Sequence, residues 1–292
     1  MIMAGKPEQL ADLTCTIGHS PVWDDKSGII YWLDAPGDKI HGFNTADNCL
    51  FSMGLAENVS CIVLREKGGF VATNHKGFYL VDLYEESFEM VWMHKEKTLR
   101  NRIICGRCDN AGSLWTGTLQ QNRGSLKGRV YCLLPDFTAA SMLTNTFSLS
   151  GLDWAPDNSV LYLSDSVSRA IVSCLYDKKK GAFISIVKNA LLFENRAWVP
   201  DGICADREGM LWIALWGGGG VIRWNPYKQI VLDRLELPVL NATSCAFGGE
   251  NMDELFVTTA RIETDTSKYP SAGGIFRVKV DVPGITTKKF KE

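Results

Sequence analysis

Four side chains in this sequence have the types and settings from which chemistry is built: His19 in Gly18-His19-Ser20-Pro21, Arg102 and Cys105 in the run Asn101 to Cys108, and Asp201 between Pro200 and Gly202. An imidazole titrates near neutrality, so His19 could shuttle protons or bind a soft metal, or it could simply fill space. Asp201 could act as a base or a ligand, although an aspartate in a Pro-Asp-Gly frame equally accepts hydrogen bonds from local backbone amides. Arg102 could hold a carboxylate or oxyanion by charge-assisted hydrogen bonds, or serve in an ion pair between neighbouring structural units. Cys105-Gly106-Arg107-Cys108 has C-x-x-C spacing, but no second pair stands at zinc-finger spacing and no helix follows to lower a thiol pKa. The run "WGGGGV" at 216–221 lacks the strand-to-helix setting of a phosphate loop and reads as a flexible turn.

The elements that must position these residues repeat. "SPVWDDKSGIIYWLD", "SCIVLREKGGFVATN", "GRCDNAGSLWTGT", "SGLDWAPDNSVLYLSD", "DGICADREGMLWIAL" and "SCAFGGENMDELFVTT" share one plan, a strand, a polar turn, and a second strand rich in aromatic and β-branched residues. The turns at Gly28, Gly69, Gly112, Asn158, Gly209 and Asp253 recur every 41 to 51 residues or so, a period that points to four-stranded propeller blades. A further β-like run follows each hairpin, and no long segment keeps a helical period. The expectation is an all-β, six-bladed β-propeller of four-stranded antiparallel blades, one domain over 1–292, with Leu10 to Thr16 closing the last blade. Inner strands of such a ring surround a channel where residues distant in sequence converge. Because residues three apart in a strand face opposite ways, Cys105 is expected on the channel and Cys108 in the blade core. Trp198, Trp216 and Phe147 are expected to wall an apolar pocket near the mouth, and Trp23, Trp115, Trp154 and Trp212 to pack between blades.

Composition narrows the function. The chain has 292 residues, 46% of them hydrophobic and 22% charged, enough to bury a large core. A net charge of −2 gives no general attraction for nucleic acid or anionic lipid, and the runs Lys178-Lys179-Lys180 and Lys288-Lys289 read as solvated turns. No apolar leader and no membrane-length apolar stretch stands out, so a cytoplasmic setting is expected. The nine cysteines then read as reduced thiols, mostly in apolar runs. The expected partner is a small-molecule substrate, without nucleic acid or membrane, for a monomer or homodimer.

The phrases "GHSPVWDDKSGIIYWLD", "NRIICGRCDNAGSLWTGTL", "SGLDWAPDNSVLYLSDS", "PDGICADREGMLWIA" and "TSCAFGGENMDELFVTTA" resemble, in order and spacing, the gluconolactonase, regucalcin and luciferin-regenerating enzyme family, from about residue 10 to residue 280. The resemblance implies a divalent cation at the channel mouth that polarises a lactone carbonyl while the aspartate of Pro-Asp-Gly activates water. It also implies where the ligands fall. The family's metal-binding Glu corresponds to His19, with Ser20 after it; the Asn of Asn-Gly-Leu corresponds to Ser150; the Arg-x-Asn-Asp-Gly phrase corresponds to Arg102 through Gly106, with Ile104 and Cys105 in place of the amide and carboxylate. Asp201 and Arg102 match, and a substrate-binding carboxylate corresponds to Gln120 or Gln121. Calcium is poorly served by such a set; His19, Ser150 and Asp201, with Cys105 if it converges, suit zinc better, or no metal at all. His19, Cys105 and Asp201 could alternatively form a thiol, imidazole and carboxylate triad. The expected function is hydrolysis of a lactone or other cyclic molecule, less polar than a sugar acid lactone because of Ile103 and Ile104, hence a specialised metabolite. The alternative is a metal-independent protein that binds a hydrophobic metabolite or transforms it without hydrolysis, by cyclisation or condensation.

Overall fold

The computed structural model describes residues 5–55, 57–94, 101–120, 128–146, 148–190 and 197–292. They form six four-stranded antiparallel sheets, the blades of a six-bladed propeller. Blade 1 comprises Gly18–Asp24, Ile29–Asp34, Lys39–Asn44 and Cys49–Gly54, and blade 2 Cys61–Leu64, Phe70–Thr73, Gly77–Asp82 and Ser87–Met93. Blade 3 comprises Asn101–Cys108, Leu114–Gln120, Gly128–Leu133 and Ala139–Thr146, and blade 4 Leu149–Trp154, Val160–Asp165, Ala170–Asp177 and Ala182–Ala190. Blade 5 comprises Val199–Ala205, Leu211–Trp216, Gly220–Asn225 and Ile230–Glu236. Asn241–Gly248, Glu254–Ala260 and Ile275–Lys279 make blade 6, whose fourth strand is Glu8–Gln9 from the other end of the chain.

The polar turns are built by side chains that accept backbone amides two residues on: Asp109 from Ala111 at 2.9 Å, Asp157 from Ser159 at 2.9 Å, Asp206 from Glu208 at 3.0 Å and Asn225 from Tyr227 at 2.9 Å. Burial falls from the axis outward. The innermost strand Asn241–Gly248 is wholly buried, whereas the outermost strand Ile230–Glu236 is largely exposed. Aromatic pairs join the blades: Trp115 of blade 3 meets Trp154 of blade 4 edge-on at 5.2 Å, and Trp23 of blade 1 stacks on Phe256 of blade 6 at 5.7 Å.

Ring closure lies slightly upstream of the expected segment. Glu8 pairs with Arg277 and Gln9 with Phe276, while Leu10, Ala11 and Leu13 pack their side chains on the core instead of extending the strand. The segment 10–17 is an arm that leads from blade 6 into blade 1.

At the opposite end of the channel the C-terminal segment forms a strap. Gly284 bridges Asp206 of blade 5, Phe290 exchanges backbone hydrogen bonds with Leu64 and Glu66, and the Lys291 amide donates to Gly112 at 3.1 Å. Lys288 and Lys289 are not solvated: Lys288 Nζ donates to Asn158 at 3.0 Å and Lys289 pairs with Asp24 at 2.6 Å.

Candidate active site in the central channel

Five of the innermost strands break register near the same level. The irregularities lie between His19 and Val22, Ile103 and Cys105, Leu149 and Gly151, Pro200 and Ile203, and Ala242 and Ser244. An extra residue in one strand of a pair bends it and re-aims its side chains. Here the irregularities bring His19, Ser20, Cys105, Arg107, Ser150 and Ser244 around one cavity of about 10 Å³, with Gly106, Gly151 and Gly202 completing its wall. That volume is about what one water molecule requires.

Close approach of the inner strands makes the cavity small. A Cβ on Gly202 would stand 2.2 Å from Ser244 Oγ, and one on Gly151 would stand 2.8 Å from the Asp201 carbonyl oxygen. Ser20 adopts a left-handed conformation with φ 53°, and its hydroxyl both accepts from the Ile62 amide at 3.0 Å and donates to the Ile62 carbonyl at 3.2 Å. Blades 1 and 2 are thereby latched beside His19.

The expected site residues divide into those the fold gathers and those it does not. His19 is buried, and its Nε2 has no hydrogen-bond partner among the described residues. Burial, then the charges of Arg107 and Arg102, lower its pKa from 6.5 to about 4, so it is neutral at pH 7. The Ser150 hydroxyl donates to the Pro200 carbonyl at 3.2 Å. Asp201 does not itself line the cavity: it precedes Gly202, which does, and burial pushes its carboxyl well above the usual carboxylate range, against the opposing hydrogen bonds of the Gly202 amide and the Ser150 hydroxyl. Cys105 lines the cavity, but its thiol donates to the Gly117 carbonyl at 3.8 Å, and burial raises its pKa. It is held as a thiol, the reverse of what a nucleophile needs.

Arg102, Ile104, Trp198 and Trp216 do not line the cavity. Arg102 donates to Asn58 Oδ1 and, at 3.4 Å, to the Val59 carbonyl, tying blade 3 to the segment before blade 2. Ile103 is fully buried in the core between blades 2 and 3, and Ile104 is half-buried at the register break. Trp198 lies under the Arg234 guanidinium at 4.2 Å, and Trp216 pairs with Val199 within blade 5. Gln121 and Phe147 lie outside the described residues. Cys108, expected in the blade core, is buried there and also lines a second cavity, of about 60 Å³, between the channel and the strap.

Arg107 was not among the expected residues. It lies on both cavities, its guanidinium donates to the Cys245 carbonyl at 3.2 Å, and although burial disfavours its charge, Asp153 together with Cys204, Cys61 and Cys245 raises its pKa overall. The signal was present in the strand's period of two, which turns Arg107 the same way as Cys105.

The family described as SMP-30/Gluconolactonase/LRE-like region matches residues 17–261. The chain belongs to this family. Rabbit (Oryctolagus cuniculus) regucalcin is 34% identical over 280 residues, covering 93% of this chain and 93% of that protein. The putative sugar lactone lactonase YvrE of Bacillus subtilis (strain 168) is 30% identical over 283 residues, covering 96% and 97%. The crystal structure of a calcium-binding protein, regucalcin, from Agrobacterium tumefaciens shares the fold with a TM-score of 0.89 at 21% identity, covering 99% of this chain and 98% of that one.

The channel residues of this member do not fit a calcium-like ion. Such a cation takes about six to eight oxygen ligands, whereas the wall here offers hydroxyls, an imidazole and a hydrogen-bonded thiol, with the Arg107 cation among them and a single carboxyl, Asp201, behind Ser150. Nor do His19, Cys105 and Asp201 form a zinc-like set. Among the described residues, the three-residue group of His, Cys or carboxylate ligand atoms lying within 4.8 Å of one another is Cys15, Asp34 and His41, away from the channel. No helix of the described residues is long and apolar enough to cross a membrane.

Proposed function

We propose that this family member hydrolyses a lactone or related cyclic ester of a small molecule, with Asp201 as the general base and Arg107 as the cation that receives the developing oxyanion. The observation that carries the reading is an acidic group with a raised pKa, Asp201, hydrogen-bonded to Ser150 in the wall of a space of about 10 Å³ whose lining also includes the half-buried Arg107. A carboxyl whose pKa is raised is, in its ionised form, the stronger base, which is what proton abstraction needs.

In the reaction, ionised Asp201 takes a proton from a water held at the cavity as the water oxygen bonds to the acyl carbon. The carbonyl oxygen becomes an oxyanion and is stabilised by Arg107, in a site where low polarity strengthens the interaction. The ring C–O bond then breaks, and the departing alkoxide recovers the proton from Asp201, leaving a hydroxy acid. Neutral His19, whose Nε2 has no partner among the described residues, hydrogen-bonds the leaving oxygen. Ser150 orients the Asp201 carboxyl. No step passes through a metal.

The test is turnover on a panel of aliphatic and aromatic lactones. Asp201→Asn is expected to lower kcat by about 10²- to 10⁴-fold, the range of a lost general base, and dialysis against a chelator is expected to leave wild-type turnover at 25 °C unchanged. Full activity in Asp201→Asn defeats the base assignment. Turnover lost on chelation and restored by calcium defeats the metal-independent route.

A further inference from the structure

The arm that closes the ring carries a second constellation. Cys15 lies on it, Asp34 ends the second strand of blade 1, and His41 lies on the third. Their ligand atoms, one sulfur, one oxygen and one nitrogen, lie within 4.8 Å of one another. A tetrahedral zinc ion with bonds of about 2.0 to 2.3 Å places its ligands about 3.3 to 3.8 Å apart, a contraction that side-chain rotation can supply.

Each of the three is already held from behind. Asp34 accepts the amides of Thr16 at 3.2 Å and Ile17 at 3.1 Å through its two oxygens. His41 Nδ1 is hydrogen-bonded to the Ser52 hydroxyl at 2.6 Å, which leaves Nε2 as the nitrogen free to bind a metal. The Trp32 side chain is hydrogen-bonded to Cys15. Outer partners of this kind orient metal ligands and are a regular part of metal sites. Cys15 and His41 are buried, but Asp34 is half-buried, which leaves an approach from solvent.

We propose that Cys15, Asp34 and His41 bind a zinc-class divalent ion, with water in the fourth position, and that this ion staples the closing arm to blade 1. A thiolate, imidazole and carboxylate set favours zinc over calcium or magnesium. Binding displaces the Cys15 thiol proton to solvent as the sulfur–metal bond forms. The location gives the role. The Cys15 amide donates to the Gly273 carbonyl of the segment leading into the third strand of blade 6, and Ile17 bridges Ala260 of the same blade, so the ion lies where the last blade meets the first.

The full-length chain is stripped with a chelator and titrated with zinc, and separately with cobalt as a spectroscopic probe. The expected result is one zinc per chain, a rise in Tm on binding, and a sulfur-to-cobalt charge-transfer band. Cys15→Ser is expected to abolish the band, and Cys15→Ser and His41→Gln each to weaken zinc binding at least 10-fold while circular dichroism shows an intact fold. Asp201→Asn is expected to bind zinc as the wild type does, so the channel reading and this one fail separately. Wild-type protein that binds no zinc, a cobalt complex without the sulfur band, or zinc lost in Asp201→Asn but kept in His41→Gln overturns the proposal.

Discussion

His19 sits in a protein interior that opposes its charge twice, by excluding water and by presenting Arg107 and Arg102. A base whose folded pKa of about 4 lies below its ordinary 6.5 stays neutral in the fold while the unfolded chain takes up a proton. Below pH 6.5 the unfolded state therefore gains protons that the native state does not, and stability falls as pH drops toward 4. At about 1.4 kcal/mol per pH unit, this single group withdraws about 3 kcal/mol across that window. Asp201, with its pKa raised, acts in the opposite sense, losing stability as pH rises through its folded value. His19→Gln is expected to remove the histidine's share. Urea unfolding at pH 7 and pH 4.5 should then show a difference between the two pH values about 2 to 3 kcal/mol smaller in the variant than in the wild type, and equal differences count against the burial argument.

At the scale of the strand, the site depends on register breaks and on glycines that let inner strands approach. Gly202 is the tightest such point: an added Cβ meets Ser244 Oγ at 2.2 Å and Ser244 Cβ at 2.6 Å. Gly202→Ala is expected to cost about 1 to 3 kcal/mol by overpacking, read as a lower urea midpoint, and Ser244→Gly in the same chain should return part of it. A Gly202→Ala protein of wild-type stability means that the strands have room to part. A second strand-scale device repeats in blades 3 and 5. Asp109 accepts the amides of its own turn and the Trp115 indole at 2.9 Å, and Asp206 does the same with the Trp212 indole at 3.1 Å. Asp206 also holds the buried Arg223 at 2.7 Å. One carboxylate thus fixes a turn and orients the aromatic ring that fills the gap beside the next blade.

The whole molecule is closed at two places, by the arm at 10–17 and by the C-terminal strap. Phe290 is fully buried, and it stacks on Phe137 at 5.9 Å. Phe290→Ala is expected to cost about 3 to 5 kcal/mol, as for other large aromatic truncations in a core, with a lower Tm and faster proteolysis of the strap. If the strap merely lies on the surface, the variant melts with the wild type.

Much of this architecture was legible in the chain, because each blade carries its own instructions. Alternating β-branched and aromatic residues specify strands, and Asp, Asn and Gly specify the turns between them, all within a few residues of one another. The sequence alone therefore determined the repeated hairpin plan, the propeller and the family's Pro-Asp-Gly position at Asp201. It did not determine which side chains share the channel. The alternation that turns Arg107 the same way as Cys105 is local, but that the guanidinium reaches Cys245 of blade 6 is not, and Trp198 and Trp216 stand outside the cavity, the one under Arg234 and the other paired within blade 5. The Cys15, Asp34 and His41 cluster has no motif spacing, since it is assembled by an arm crossing to another element. Tertiary structure decided these points because burial, neighbouring charge and convergence are properties of groups brought together in space, and no local pattern along the chain encodes them.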